Sequence, residues 1–276
     1  MISDAVAALL GRLGVCSFGV CRWADELLIA GVRSAARLPQ TPSSVLVCAF
    51  PYGVGERDGR NLSLYAMLPD YHTVVLSALE EVCAALRAEA PDAAFVPFCD
   101  SSPVREVEAG VRCAVGVRGK NGMLITKESG SLVFLGEIVT DLPWDACEKA
   151  GSCIGCGACI AACPTGALTD GGLDVSRCLS HITQKKGALS EEEAALVRQG
   201  GLVWGCDRCQ LVCPMNRGAK QTAIPAFRDS VTPTLTRRNL DAMMRNRAFS
   251  WRGRAVLERN LKLFEGDGGS APFTLK

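Results

Sequence analysis

The sequence predicts a sheet flanked by helices over its first half, then a small segment held by cysteine ligation, then a helical tail. Three observations predict this. Short apolar runs of strand length alternate with stretches of helical spacing up to about residue 145. Nine of the 15 cysteines then crowd into residues 147–213, and none follows. Farther on the chain turns basic, with eleven Lys and Arg against three Asp and Glu over 217–262, although the 276 residues together carry only +1. The expected divisions are therefore 1–145, 146–216 and 217–276.

Taken in order, residues 4–13 have the spacing of a short amphipathic helix. Residues 44–50 are an unbroken apolar run of strand length, stopped by Pro51 and Gly53. Over 70–90 the apolar positions Val74, Val75, Leu79, Val82 and Leu86 recur at helical spacing, and Pro91 ends the run. Residues 94–98 form a second strand. Residues 122–126 and 131–139 read as two more, joined as a hairpin at Glu128-Ser129-Gly130. No apolar run approaches the roughly 20 residues of a membrane span. The start, Met1-Ile2-Ser3-Asp4, lacks the basic region of an export signal. A cytoplasmic protein with reduced thiols is expected, and there clustered cysteines point to metal rather than disulfides.

The cysteine-rich segment carries a specific spacing. Cys153, Cys156, Cys159 and Cys163, the last followed by Pro164, fit the C-x2-C-x2-C-x3-C-P run of bacterial-type ferredoxins at every position. Cys206, Cys209 and Cys213, followed by Pro214, repeat its C-x2-C-x3-C-P half, and Cys178 stands between them. In this pattern the cysteine before proline ligates the other cluster. Cys153, Cys156, Cys159 and Cys213 are then expected to hold one 4Fe–4S cluster, and Cys163, Cys178, Cys206 and Cys209 the other. Paired C-x-x-C also serves structural zinc, but a zinc ribbon has no need of four cysteines in twelve residues with a Cys-Pro ending. Two clusters with crossed ligation make an electron relay; a purely structural role for them stays open.

A bare electron carrier needs only that segment, so the residues before it are expected to hold the chemistry. Asp70-Tyr71-His72 opens a helix, where Asp is a good cap; a lone His72 is more often packed or solvated than catalytic. Asp100, in Cys99-Asp100-Ser101-Ser102-Pro103, follows a strand, and strand ends are where such folds display catalytic groups. Taken alone, the same pattern favours a helix cap. The loop from Gly116 to Gly122 is glycine-rich but lacks P-loop or dinucleotide spacing.

Asp70-Tyr71-His72, Asp100-Ser101-Ser102-Pro103-Val104, Gly119-Lys120-Asn121, the run from Leu135 to Pro143 and both cysteine motifs together resemble the epoxyqueuosine reductase family. That resemblance implies an N-terminal cobalamin-binding α/β domain of reductive-dehalogenase type, a ferredoxin-like domain with two 4Fe–4S clusters and a short helical C-terminal tail. It is the form expected without the family's C-terminal HEAT-like domain. The implied activity is conversion of epoxyqueuosine to queuosine in tRNA, with Asp100 as proton donor. Asp70, His72, Ser101, Lys120 and Asn121 are implied beside the cobalamin. An external donor such as ferredoxin or flavodoxin is implied, with no membrane and a monomeric enzyme. Two alternatives stay open: a cobalamin reductase of a small epoxide, nucleoside or halogenated compound, and an electron carrier without corrinoid. Arg237, Arg238, Arg245, Arg247, Arg252, Arg254 and Arg259 are candidates for RNA phosphate contacts, or else a solvated basic face.

Overall fold

The computed structural model describes residues 2–146 and 151–265. The chain folds into two compact units that do not follow chain order. One comprises 1–53, 72–155 and 215–224; the other comprises 54–71, 156–214 and 225–276.

In the first unit, α1 (Asp4–Arg12) is capped by Ser3, whose side chain accepts from the Val6 N–H at 3.2 Å. The main sheet contains β1 (Ser17–Arg22), β2 (Ser44–Pro51), β3 (Phe95–Phe98) and a later strand, Val133–Thr140. Two short strands, β4 (Val117–Arg118) and β5 (Leu124–Ile125), intervene, so that later strand is β6. The sheet order is β1-β2-β6-β3 and every ladder in it is antiparallel. Helices α2 (Tyr71–Glu89) and α3 (Glu106–Arg112) flank the sheet.

All eight residues of β2 are buried, as expected of a central strand covered on both faces. Val45, Val47 and Ala49 join one core with Ala109 and Cys113 on the α3 side. On the other face α2 lies so close to β6 that a Cβ at Gly136 would meet Val75 Cγ1 at 2.7 Å and Leu79 Cδ1 at 2.8 Å. Only glycine allows that approach.

The expected hairpin between 122–126 and 131–139 does not form. β5 pairs with β4 instead, Val117 opposite Ile125 and Arg118 opposite Leu124. All eight positions of β6 are taken by β2, from Ser44 opposite Thr140 to Pro51 opposite Val133. What remains at 126–130 is a closed turn, with the Thr126 N–H and hydroxyl both donating to the Gly130 carbonyl at 2.9 and 3.1 Å. β1 has no counterpart among the sequence expectations, because Gly19 interrupts its short alternation.

In the second unit, α4 (Ala158–Ala161) lies within the first cysteine run and carries Cys159. The short pair β7 (Leu168–Thr169) and β8 (Gly172–Leu173) comes next, then α5 (Leu179–Gln184), α6 (Glu191–Gly200) and α7 (Arg208–Leu211). α8 (Pro225–Arg228), α9 (Leu240–Met243) and α10 (Arg254–Lys262) belong to the tail. α6 begins with a full capping box, Ser190 with Glu193, and ends on Gly201 in the left-handed region at φ 72°. By contrast, Ala167 and Leu168 are the only buried residues over 151–178. A stretch of that length with so small an apolar core is held by something else.

Segment 54–71 and the second cysteine run are joined by a buried ion pair. Arg60 is 2% exposed and Asp207 1%. Arg60 Nη1 lies 2.8 Å from Asp207 Oδ2 and also donates to the Leu62 carbonyl at 2.6 Å, while Asp207 Oδ2 accepts from the Leu64 N–H at 2.9 Å. Beside them the Trp204 indole N–H donates to the Tyr65 hydroxyl at 2.7 Å. Gly205 is needed here: at φ 80° its Cβ would fall 2.1 Å from Ser63 Oγ.

Two tail arginines, Arg247 and Arg259, are built into the fold, while Arg237 and Arg254 make surface ion pairs and stay about half exposed. Arg259 donates to the carbonyls of Thr183, Lys185 and Gly187 around the end of α5. Arg247 is buried and donates to Ser230 and Thr232. Arg237 pairs with Glu265, and Arg254 pairs with Asp241 and Glu258.

Breaking a buried pair leaves one charge uncompensated. Arg60→Ala is expected to lower the unfolding free energy of the anaerobic holoprotein by about 3–5 kcal/mol, read from urea midpoints. A loss under about 1 kcal/mol would mean that Asp207 reaches water without Arg60.

Candidate functional site

The site in the first unit grows from the end of β3. After Phe98 the backbone turns sharply: the Ser101 N–H donates to the Cys99 carbonyl at 2.7 Å and the Ser102 N–H to the Asp100 carbonyl at 2.6 Å. The turn forces Asp100 to φ 59°, a conformation that non-glycine residues occupy at a cost and that clusters at functional loops. Two side chains hold it there. Glu106 Oε1, at the first residue of α3, accepts from the Asp100 N–H at 3.0 Å, and His72 Nε2 lies 3.3 Å from Asp100 Oδ2. Asp100 still exposes 57% of its side chain. It borders an open cavity of about 510 Å³, also lined by Ile29, Glu106, Arg105, Arg112 and Arg118, within the size range of small-ligand sites.

Carboxyls gather behind this loop. Glu137 is 0% exposed in the middle of β6, opposite Val47 of β2 and Phe98 of β3. Burial pushes its carboxyl well above the ordinary range, and the charges of Glu106 and Asp100 add to the effect. Glu106 is likewise pushed up, to about 8, by burial and then by the charge of Asp100. The sequence expectations did not include either glutamate, although an acid inside the apolar run of β6 is itself a signal.

Of the other expected residues, His72 is the second residue of α2 and meets Asp100, as above. Ser101 lies exposed in the same turn, and Asp70 directly precedes α2 in the sequence. Lys120 and Asn121 occupy the loop between β4 and β5. Lys120 is exposed; Asn121 is 6% exposed, with Oδ1 accepting from the Met123 N–H at 3.3 Å. The Asn121 amide nitrogen is buried without a hydrogen-bond partner. An orphaned buried donor is costly, and it fits a loop that completes its bonding on a bound group.

In the second unit Cys159, Cys178, Cys206 and Cys209 face one another. Cys209 is pushed up to about 12 by burial, with further opposition from the charges of Cys206, Cys178, Asp207 and Cys159. Cys206 is pushed up to about 11 by burial, with Asp207 and Cys178 adding to it. Burial also opposes ionisation of Cys163, but the N–H groups of Leu168, Thr165 and Ala167 and the Thr165 hydroxyl outweigh it and hold this thiol below its usual value. Thiols that repel one another as anions fit a cationic group placed among them. Among the described residues no three metal-binding side chains converge as a single ion requires. Four sulfurs on one tetrahedral ion crowd within about 3.8 Å of one another, whereas ligands on the corners of a larger cluster stand farther apart. Gly155 and Gly157, at φ 69° and 72°, form the turns between the first cysteines. Cys147 lies outside the described residues. Cys21, Cys48, Cys83, Cys99 and Cys113 are buried and Cys16 is half-buried, none in a disulfide.

Residues 33–101 match the family described as epoxyqueuosine reductase QueG, DUF1730, and residues 152–216 match the 4Fe-4S double cluster binding domain. The epoxyqueuosine reductase of Bacillus cereus is 35% identical over 246 residues, 85% of this chain. Over most of its length the chain is similar to epoxyqueuosine reductases. It spans 64% of the length of that Bacillus cereus relative. A solved epoxyqueuosine reductase with an epoxyqueuosine-modified tRNA-Tyr stem loop is 24% identical with a TM-score of 0.79, covering 94% of this chain and 80% of the other. A reductive dehalogenase described as suggesting a mechanism for B12-dependent dehalogenation is 19% identical with a TM-score of 0.53, over 93% of this chain and 37% of the other. Both likenesses are of fold. The mixed α and β architecture with a double-cluster segment is that of the family. Among the described residues no helix is long and apolar enough to cross a membrane.

The raised Glu106 carboxyl has a consequence for stability. Between its ordinary 4.5 and about 8 the folded state holds a proton that the unfolded chain releases. Stability therefore falls as pH rises through that window. Thermal midpoints from pH 5 to 9 should decline less steeply in Glu106→Gln than in the parent chain. Equal slopes would show that Glu106 is ionised throughout.

Proposed function

We propose that this chain reduces epoxyqueuosine to queuosine in tRNA. The observation that carries the reading is the Asp100 turn: an aspartate held in a left-handed conformation at a strand end, gripped by His72 and Glu106, facing a cavity lined by Arg105, Arg112 and Arg118 together with Glu26 and Glu108. Cys153, Cys156, Cys159 and Cys213 are assigned to one 4Fe–4S cluster, and Cys163, Cys178, Cys206 and Cys209 to the other. Asp70, His72, Ser101, Lys120 and Asn121 are assigned to the surroundings of a cobalamin, with the unpaired Asn121 amide as one of its donors. When bound, these groups supply electrons one at a time and deliver them to carbon.

The chain's own residues do the rest. Asp100 gives a proton to the epoxide oxygen as the carbon–oxygen bonds open. His72 holds the Asp100 carboxyl toward the cavity, and Glu106 fixes the loop through the backbone. Arg105, Arg112 and Arg118 at the cavity edge suit the phosphates of an RNA strand, and Arg238 and Arg245 in the basic tail are further candidates for phosphate contacts. Electrons come from an external carrier such as ferredoxin or flavodoxin, and the enzyme works as a cytoplasmic monomer.

The test is anaerobic turnover of epoxide-bearing tRNA and of the isolated nucleoside, side by side, by the reconstituted chain and by Asp100→Asn. The reading predicts product from tRNA and a loss of about 10²–10⁴-fold in the variant, with the cofactor absorbance unchanged. Near-native turnover by Asp100→Asn would remove Asp100 from the chemistry; it does not cap α3, whose N-cap is Arg105. Turnover confined to the nucleoside would assign the site to a small molecule.

A further inference from the structure

Opening an epoxide to an alkene and water consumes two electrons and two protons, and one aspartic acid can give only one proton before it is recharged. Behind Asp100 stands Glu137, wholly enclosed in β6. No hydrogen bond of normal geometry reaches either of its carboxyl oxygens, and among the described residues no cation pairs with it. The polar and titratable groups that face it are Glu106 from α3, Asp100 and Ser102 from the loop, and Cys48 from β2. The Ser102 hydroxyl accepts from the Val104 N–H at 3.0 Å and turns its own O–H toward Glu137, a neutral donor that opposes the rise without cancelling it. None of these brings positive charge. An ionised carboxylate in such a place would be an uncompensated buried charge, so Glu137 carries its proton. Glu106 lies between, bonded to the Asp100 backbone at 3.0 Å. Three carboxyls thus run from the centre of the sheet to the cavity mouth.

We propose that Glu137 and Glu106 form an internal proton store that recharges Asp100 within each turnover. The inference rests on the reading above. Asp100 donates its proton to the epoxide oxygen and becomes a carboxylate while the first carbon–oxygen bond breaks. Glu106 passes its proton to Asp100, and Glu137 replaces the one on Glu106. The renewed Asp100 acid protonates the same oxygen a second time as the remaining carbon–oxygen bond breaks, and water leaves. The two electrons come from the external one-electron carrier, and solvent refills the store after product departs. The raised carboxyls of Glu106 and Glu137 agree with protons held at neutral pH.

Glu137→Gln and Glu106→Gln mimic the neutral acids in shape, so both should keep the clusters and the fold. In the resting holoprotein at pH 7, infrared spectroscopy should show a protonated-carboxyl band that weakens in each variant. In single turnovers of epoxide-bearing tRNA, with dithionite as donor, each variant should be slowed tenfold or more. Glu106→Gln should also lose the fall in rate that the parent shows above about pH 8. Unchanged rates and pH profiles in both variants, or an infrared band that neither variant alters, would overturn the proposal. A parent chain that fails to turn over the tRNA would overturn the reading of function instead, and the infrared band would still decide whether these carboxyls hold protons.

Discussion

Ligation of thiolate to iron is the interaction on which the rest of this molecule depends. Over 151–178 the chain buries only Ala167 and Leu168, while Ile154 and Val175 stand 61% and 53% exposed. So little burial leaves the conformational entropy of about 28 ordered residues unopposed. The thiols gathered in the second unit, as anions, would repel one another and destabilise it further. A cluster reverses both effects, because it replaces repulsion with covalent bonds to a cationic core and fixes the turns at Gly155 and Gly157. The buried Arg60–Asp207 pair then ties the residue after Cys206 to segment 54–71.

Electrostatics at the end of β3 follow the opposite logic. There three carboxyls gather, and cations reach only the outer ones: His72 lies beside Asp100, while no cation pairs with Glu137 among the described residues. Burial raises the carboxyls of Glu137 and Glu106, with the charge of Glu106 adding at Glu137 and that of Asp100 at both, and Asp100 is kept near water by a strained turn. Raised carboxyls of this kind suit the proton donation proposed for Asp100, since they favour the protonated form at a pH where free carboxylates are ionised.

Local chemistry was legible in the sequence and distant pairing was not. The cysteine spacing is a local pattern, so it announced the double-cluster segment directly. The strands at 44–51, 95–98 and 133–140 and the helix at 71–89 showed in the apolar periodicity. The partner of β5 did not, because a turn signal at 128–130 says nothing of the eight-residue ladder that draws β6 to β2. Arg60 and Asp207 meet from opposite halves of the chain. Charge counting marked the tail as a basic surface but cannot tell an arginine that faces solvent from Arg259, whose guanidinium closes the end of α5. On local pattern alone Asp100 reads as a cap; the structure instead puts it in a turn at φ 59°, beside Glu106 and His72, with Arg105 as the N-cap of α3.

The most direct measurement is iron and acid-labile sulfide per polypeptide in anaerobically prepared protein, taken with the low-temperature electron paramagnetic resonance of the reduced form. The account requires about eight of each and a signal broadened by two neighbouring cubes. About four of each, an unbroadened signal, or zinc in place of iron would contradict it.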